Sequence, residues 1–421
     1  SNPKPMACVQ ATKAALAKLV QSNVIPPESV RSLAGFSVSG FGVGCYRMGM
    51  QQKEALVRAL QGGVNVIDTS STYLAGESES MIGEVLSGPF KQQRNEMVVV
   101  TKVGYLQGPL MAEAQLRHTQ NRAWPEIVKF HPQAWHCIHP DFIRDQLAAS
   151  RARLQGAPDI VLLHNPEFFF TAVLGHGSSS GPTPPTEADQ NEFYKRLQLA
   201  FETLEEAADQ GQLSSYGLST NPDGCRWSCS GLDNIWETTH IERIMAAADA
   251  AARAKGRTEH KCKVIQVPCN LLEPESFVGA LGVAGKTVFE KAKEHGLDVM
   301  THRPINAIPP PDFHIGDWAR RESFIKLRDL RPQPPALALI VSVCRDVLVN
   351  HGLPAFYKGG LTDIALHTAL SAPVSVALSG ARDEQYVDNM LDILSKGPLP
   401  EKITAEIFLK VQALMTKSDE F

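Results

Sequence analysis

The chain has 421 residues, of which 43% are apolar and 20% charged, and its formal net charge is −4. This composition is typical of a folded globular protein, and the absence of any block of like charge argues against a nucleic-acid partner or a membrane-surface role. The longest apolar run, Pro335 to Cys344, is about half of the roughly 20 residues that cross a membrane, so we predict no membrane partner.

The cysteines indicate a reducing compartment. Eight of them are scattered along the chain without a Cys-x-x-Cys pair, which favours free thiols. The early helical stretch has no Arg before Arg31, too weak a pattern for a targeting segment, so we expect a cytoplasmic protein and leave organelle import open. His136 and His139 flank Cys137 without firm metal-ligand spacing, and we expect a solvated loop there and no bound metal.

From residue 36 onward, short β-rich runs alternate with amphipathic helical runs. This alternation predicts parallel strands with right-handed crossovers, and eight such units predict an α/β protein with a (β/α)8 TIM barrel. The predicted strands are 36–39, 64–67, 97–101, 159–163, 214–218, 263–267, 298–301 and 375–378, and the helices that follow them are 51–61, 77–86, 140–154, 192–208, 241–254, 286–295, 361–370 and 383–394.

The domain organisation follows from the same pattern. The barrel is expected to span residues 36–396, after an N-terminal extension of residues 1–35 and before a helical tail of residues 397–421. Glycines at 40, 42 and 44 fail the G-x-G-x-x-G dinucleotide fingerprint, and we interpret this run as a tight turn. Three long insertions follow strands and therefore belong to the C-terminal face of the barrel; they cover about residues 105–138, 168–188 and 306–345.

Four polar side chains stand at or just beyond the ends of predicted strands: Asp68, Tyr73, Lys102 and His164. Each has an ordinary structural explanation when it is taken alone: a turn or cap, a core aromatic, a lysine reaching solvent, or a hydrogen-bonded core histidine. On the strands of one barrel, however, they meet at one mouth, and packing alone rarely produces that coincidence. We therefore interpret them together as a candidate catalytic group.

The chemistry that suits this group is proton transfer to a carbonyl oxygen during hydride addition. Hydride arriving at the carbonyl carbon creates an alkoxide, which needs an acid and oriented donors. A phenol is a poor acid near neutral pH, but an adjacent ammonium stabilises the phenolate. In this hypothesis Lys102 supplies the positive charge, Asp68 holds the lysine, and a neutral His164 orients the substrate carbonyl for Tyr73.

At this point the sequence resembles the aldo-keto reductase superfamily over most of residues 36–396. The resemblance rests on Gly-Val-Asn-Val-Ile-Asp68-Thr-Ser-Ser-Thr-Tyr73, on Val-Thr-Lys102-Val-Gly, and on Asp-Ile-Val-Leu-Leu-His164-Asn-Pro-Glu. The histidine motif and Arg303-Pro-Ile-Asn-Ala are similar to the branch related to sugar and aldose dehydrogenases. The resemblance implies a (β/α)8 barrel, a dinucleotide extended across the mouth, and Tyr73 as the proton donor.

The resemblance also implies which residues bind the cofactor. NADP(H) is favoured and NAD(H) is possible, because Arg382 is the basic residue that remains in the adenosine-phosphate segment. Ser219 is followed by Thr220, where relatives often have Asn, and His302 stands where many relatives have a stacking phenol. The implied cofactor-binding residues are Gly44, Cys45, Ser219, Gln266, His302, Arg303, Pro304, Gly380, Arg382, Gln385 and Asn389.

Three functions remain open from sequence alone. The first is an NAD(P)(H)-dependent oxidoreductase that acts on an aldehyde, ketone or sugar. The second is a nucleotide-binding interaction or regulatory protein with little turnover, whose protein partner contacts the insertions. The third is a metal-dependent hydrolase that uses Asp68 and His164, for which the sequence offers no ligand cluster.

Overall fold

The computed structural model describes residues 6–173, 185–220, 239–279, 285–305, 335–353 and 360–415. A first helix, α1 (Val9–Gln21), leads into an antiparallel hairpin of β1 (Val30–Leu33) and β2 (Phe36–Ser39). Leu33, Phe36 and Val38 of this hairpin belong to the same apolar cluster as the inward side chains of several barrel strands. The hairpin therefore covers one end of the barrel.

Eight parallel strands close into a barrel, in chain order around the ring. The predicted (β/α)8 fold is confirmed. The barrel strands are β3 (Phe41–Gly44), β4 (Val66–Asp68), β5 (Val98–Val103), β9 (Ile160–His164), β10 (Ser215–Ser219), β11 (Cys262–Pro268), β12 (Asp298–His302) and β13 (Val376–Gly380).

Helices follow the barrel strands and bury an apolar face against them. Leu56 and Leu60 of the helix after β3, for example, are fully or almost fully buried, as their helical spacing predicts. The helices that follow the eight barrel strands are α2 (Lys53–Gln61), α3 (Glu77–Ser87), α5 (Pro140–Arg153), α7 (Glu187–Asp209), α8 (Ile241–Ala254), α10 (Val288–Glu294), α12 (Leu361–Ser371) and α13 (Glu384–Lys396).

The first barrel strand is not the predicted one. Phe36–Ser39 pairs with Val30–Leu33 outside the ring, and the glycine-rich run interpreted as a turn supplies β3 instead. The physical reason is space. A Cβ on Gly42 would lie 2.9 Å from side-chain atoms of Leu378 and Val376, so only glycine lets the strand approach its neighbours. Glycine lowers strand propensity, but here close packing decides the structure.

The first long insertion has a fold of its own. After β5 it forms β6 (Tyr105–Leu106), α4 (Pro109–Thr119), β7 (Val128–His131) and β8 (Ala134–His136), and the three strands make an antiparallel unit that we call the insertion sheet. The expected solvated loop at 136–139 is wrong for His136, which is buried at the end of β8. His139 instead caps α5 by accepting the Asp141 backbone N–H.

The other insertions are described only in part. A short helix, α6 (Phe168–Val173), begins the second, and residues 174–184 lie outside the described ranges. Residues 306–334 of the third insertion also lie outside them, and its last part begins α11 (Pro335–Asn350). The C-terminal helix α14 (Glu401–Met415) packs against α11 and the short α9 (Glu275–Val278). Within the ranges given above, the helices are too short or too polar to traverse a bilayer.

The packing around Gly42 makes a testable prediction. Gly42→Ala introduces a methyl group into a filled barrel interior, and we expect it to lower the free energy of unfolding by about 1–3 kcal/mol. Gly380→Ala is the matched control at the end of another barrel strand, because a Cβ there meets nothing within 4 Å. Urea unfolding followed by circular dichroism measures both, and equal stability of the two variants would contradict this account of β3.

Candidate active site

A buried ion pair joins the ends of two neighbouring strands. Asp68 is the last residue of β4 and Lys102 the penultimate residue of β5, and the two are 3% and 1% exposed. The lysine Nζ lies 2.6 Å from Asp68 Oδ1 and also donates to the Thr69 carbonyl at 3.0 Å. Parallel neighbouring strands end at one rim, which is why residues 34 positions apart meet here.

The ion pair is balanced between burial and mutual attraction. Burial raises the pKa of Asp68 and lowers that of Lys102, and each charge opposes the shift of the other. The second carboxylate oxygen accepts the Gln266 Nε2–H at 2.9 Å, and Gln266 Oε1 in turn accepts the Ser219 hydroxyl at 3.0 Å. Sequence-predicted residues from β4, β5, β10 and β11 thus form one continuous hydrogen-bonded group.

Tyr73 is held at the mouth by the loop that follows β4. The Ser71 N–H donates to the Lys102 carbonyl, and the Tyr73 N–H donates to the Ser70 carbonyl. The phenol oxygen then lies 3.4 Å from Lys102 Nζ, and the ring is partly exposed. Leu74 and Ala75 follow with positive φ angles of 48° and 55°, a strained conformation for residues with side chains. The turn therefore holds Tyr73 beside the lysine at a cost in backbone energy.

His164 ends β9, next to β5 in the barrel, and its ring centroid is 6.0 Å from that of Tyr73. Burial lowers the pKa of His164 well below its usual value, and the positive charge of Lys102 lowers it further, as do His136 and His302. The ring is therefore neutral at physiological pH. Its Nδ1 lies 3.3 Å from the Ser70 hydroxyl.

The end of β3 completes the rim beside Asp68. Gly44 pairs with Asp68 in the barrel register, and the Cys45 N–H donates to the Asp68 carbonyl at 2.8 Å. The Cys45 thiol is fully buried, and burial raises its pKa above the usual range, so it stays protonated. Both predicted positions thus lie beside the ion pair.

The predicted residues at the end of β12 lie on a rim segment with contacts of its own. His302 ends β12, and its carbonyl accepts the Cys269 N–H. Arg303 has a φ of 64° and forms an ion pair with Glu273 at 3.3 Å, and Pro304 follows it.

The predicted adenosine-phosphate segment begins at Gly380, the last residue of β13. Gly380 and Arg382 are exposed, and Gln385 lies in the first turn of α13. Asn389, one turn further along α13, donates its amide to Asp363 of α12 at 2.9 Å. Asn389 is therefore engaged in a contact between helices, whereas the loop at Gly380 and Arg382 faces solvent.

Three residues that were not among the predicted site residues form a hydrogen-bonded group near the site. Asn165 and Thr220 both donate to the buried carboxylate of Glu167, at 2.9 and 2.8 Å, on the rim beside Ser219. Thr220 therefore contributes a hydroxyl to this network. In the sequence, the run Asn-Pro-Glu after His164 was the one indication of this network. No spacing rule links Glu167 to residue 220.

Comparison with known proteins identifies the family of the chain. The family model described as "Aldo/keto reductase family" matches residues 48–307, and the chain belongs to that family. No curated protein matches the chain.

Solved aldo-keto reductase structures share the fold. An aldo-keto reductase from Bacillus halodurans in its holo form has 18% identity and a TM-score of 0.56, covering 91% of this chain and 96% of its own. An aldo/keto reductase from Klebsiella pneumoniae in complex with NADP and acetate has 18% identity and a TM-score of 0.52, and the match covers 90% of this chain and 94% of that one. A glycerol dehydrogenase from Gluconobacter oxydans has 16% identity and a TM-score of 0.53, and the match covers 94% of this chain and 97% of that one.

Within the described residues, no three His, Cys, Asp or Glu side chains are grouped so that they could hold a metal ion. The described cysteines are free thiols: Cys8, Cys45, Cys137, Cys262, Cys269 and Cys344.

The ion pair makes a prediction about stability. Lys102→Met leaves the Asp68 carboxylate buried without its counter-charge, and we expect a loss of about 3–5 kcal/mol near pH 8. Loss of the ammonium raises the pKa of Asp68 further. Between about pH 3.9, where the unfolded chain takes up this proton, and that raised pKa, the folded chain holds a proton that the unfolded chain has released. The deficit relative to the unsubstituted chain must therefore shrink as the pH falls toward about 5.

Two comparisons make this measurement specific. Adding Asp68→Asn to Lys102→Met removes the buried charge and should recover part of the loss near pH 8. Lys53→Met removes an exposed pair with Glu84 and should cost less than about 1 kcal/mol. A Lys102→Met deficit that does not depend on pH, measured by urea unfolding, would show that the carboxylate is not its cause.

Proposed function

We propose that this protein is an NADP(H)-dependent oxidoreductase that transfers a hydride between nicotinamide and a carbonyl or alcohol group of an aldehyde, ketone or sugar. One observation carries the proposal: Asp68, Lys102 and Tyr73 are in contact at the barrel mouth, at 2.6 and 3.4 Å, with a neutral His164 beside the phenol. Membership of the aldo/keto reductase family supports the same reaction class.

Tyr73 is the proton donor in the direction of carbonyl reduction. As the substrate oxygen gains negative charge, the phenol donates its proton to that oxygen, and in alcohol oxidation the phenolate takes the proton back. The Lys102 ammonium, 3.4 Å from the phenol oxygen, stabilises the phenolate electrostatically in either direction. The partial exposure of the ring leaves its oxygen accessible to a substrate.

Asp68 and His164 have supporting roles at the same atoms. Asp68 keeps the lysine charged and fixed, because a lone buried ammonium would lose its proton. His164 is neutral and carries one N–H. In this proposal Nδ1 accepts from the Ser70 hydroxyl, and the other ring nitrogen donates to the substrate oxygen and orients the carbonyl.

The residues present fit a nicotinamide dinucleotide. A bound nicotinamide supplies or accepts the hydride. Its carboxamide needs paired donors and acceptors, and Ser219 and Gln266 present a hydroxyl and an amide that already touch each other one contact from Asp68. At the other end, the exposed Arg382, just before α13, offers a guanidinium to a phosphate group. The relatives from Klebsiella pneumoniae in complex with NADP and with NADPH support NADP(H) over NAD(H).

The decisive test is Tyr73→Phe. We expect this variant to bind NADPH with unchanged affinity and to lose at least about 100-fold in kcat, because the phenol proton is removed while the ring remains. Nucleotide fluorescence measures binding, and NADPH oxidation over a panel of aldehydes, ketones and sugars measures turnover.

Tyr46→Phe is the matched control for this experiment. The ring centroids of Tyr46 and Tyr73 are 5.2 Å apart, and Tyr46 is 52% exposed. The Tyr46 hydroxyl can therefore be removed without disturbing the ion pair of Lys102 and Asp68. Equal turnover of Tyr73→Phe and the unsubstituted chain would remove the proton-donor assignment. NADPH binding without turnover on any carbonyl would favour a nucleotide-binding protein with a regulatory role.

Arg382 tests the choice of nucleotide. Arg382→Ala removes the exposed guanidinium from the loop before α13, and we expect roughly tenfold or more weaker binding of NADPH with little change for NADH. Arg144→Ala, at an exposed position on α5, is the control and should affect neither nucleotide. Equal losses for NADPH and NADH would contradict a contact between Arg382 and the 2′-phosphate.

A further inference from the structure

The insertion sheet touches the barrel directly at His164. Its first strand, β6, begins two residues after β5 ends, and Tyr105 of β6 pairs with His136 of β8 in antiparallel register. The Cys137 N–H donates to the Gly104 carbonyl at 2.8 Å, which fixes the end of β8 against this junction. Two side chains of the sheet therefore stand next to the strand end that carries His164.

His136 holds the main chain of His164. It is 1% exposed, and its Nε2 lies 2.8 Å from the His164 carbonyl oxygen. A carbonyl oxygen only accepts, so Nε2 carries the proton. Burial lowers the pKa of His136 to about 4, which keeps the ring neutral at physiological pH. The contact is thus a hydrogen bond between an inserted segment and the candidate catalytic strand.

Gly104 is what permits this approach. Its φ is +152°, and a Cβ at this position would lie 2.6 Å from His136 Nε2 and 3.0 Å from the His164 carbonyl oxygen. Any larger residue would push the histidine away from the carbonyl. The hydrogen bond between His136 and the His164 carbonyl therefore requires glycine at position 104.

Tyr105 contacts both the His164 ring and Asn165, the residue that follows His164. Its ring meets the His164 ring edge to face, with centroids 4.6 Å apart and planes at 90°. Its hydroxyl donates to Asn165 Oδ1 at 3.1 Å, and Asn165 has a strained φ of 55°. Phe168 also packs against Tyr105 at 5.5 Å. His164 is thus restrained on its main chain, on its ring and through its neighbour.

We propose that His136 and Tyr105 are positioning residues, through which the insertion sheet holds the His164 imidazole in the orientation that presents it to the substrate oxygen beside Tyr73. This proposal rests on the proposed function and adds to it a role for the first insertion. Neither residue contacts the reacting atoms in our mechanism. They act through His164, and a small displacement of a catalytic group is enough to lower the rate.

The first experiment removes the donor and then restores it. His136→Leu introduces an apolar side chain of similar size and leaves the His164 carbonyl without its donor, and we expect kcat to fall roughly tenfold with unchanged NADPH affinity. His136→Gln carries an amide N–H near the position of Nε2, and it should recover most of that rate. Tyr105→Phe, which loses the hydroxyl that donates to Asn165, gives a milder variant if His136→Leu folds poorly.

His367 provides a matched control far along the chain. It is fully buried in α12, its Nε2 lies 2.6 Å from the Gly397 carbonyl oxygen, and burial lowers its pKa to about 4, as for His136. His367→Leu should therefore lower thermal stability as much as His136→Leu while leaving kcat of the folded fraction unchanged. If both variants lower kcat of the folded fraction equally, His136 is only structural and the proposal is wrong.

A double-mutant cycle tests whether the effect passes through His164. In a His164→Ala background, His136→Leu should cause no further loss of kcat, because the group it positions is gone. A loss of the same size in both backgrounds would overturn the proposal.

A last readout needs no turnover. In ¹⁵N-histidine spectra of the full chain, with the His164 signals assigned from His164→Ala, His136→Leu should shift them and His136→Gln should return them toward their original positions, whereas His367→Leu should leave them in place. Unshifted His164 signals in His136→Leu would contradict the positioning role. Because this measurement is independent of catalysis, the positioning role can hold even if no carbonyl substrate is turned over, and it can fail while the proposed oxidoreductase activity stands.

Discussion

The buried contact between Lys102 and Asp68 is the interaction on which the rest of the site depends. Two opposite charges are desolvated at the rim of the barrel, and neither is stable there without the other. The ammonium in turn meets the Tyr73 phenol, and the carboxylate meets Gln266 and, through it, Ser219. A single ion pair thus connects the proposed proton donor with the proposed carboxamide site.

Backbone strain is found in the loops around this ion pair. Residues with side chains adopt positive φ after β3, β4, β9 and β12, at Arg47, Leu74, Ala75, Asn165 and Arg303. Such conformations persist only where the surrounding contacts fix them. Here the fixing contacts include the Tyr105–Asn165 hydrogen bond and the Arg303–Glu273 ion pair. These contacts stabilise the strained loops and hold the barrel mouth in one geometry.

The accuracy of the sequence predictions differs by type of interaction. Helices with clear apolar spacing, such as Ile241–Ala254, were predicted to the residue, because their periodicity is local. The first barrel strand was misplaced, because the space available to Gly42 is set by Leu378 and Val376, which lie far along the chain. His136 was expected in a solvated loop for the same reason, since its partner is the carbonyl of residue 164.

By itself, the sequence determined the number of βα units, the barrel and the group of Asp68, Tyr73, Lys102 and His164, because strand periodicity and residues at strand ends are written locally. Only the tertiary structure decided which of the glycine-rich and β-rich early runs enters the barrel, how the first insertion folds, and which side chains hold His164. Those outcomes depend on close approach and hydrogen bonding between segments distant in the chain, and no local pattern encodes such distances.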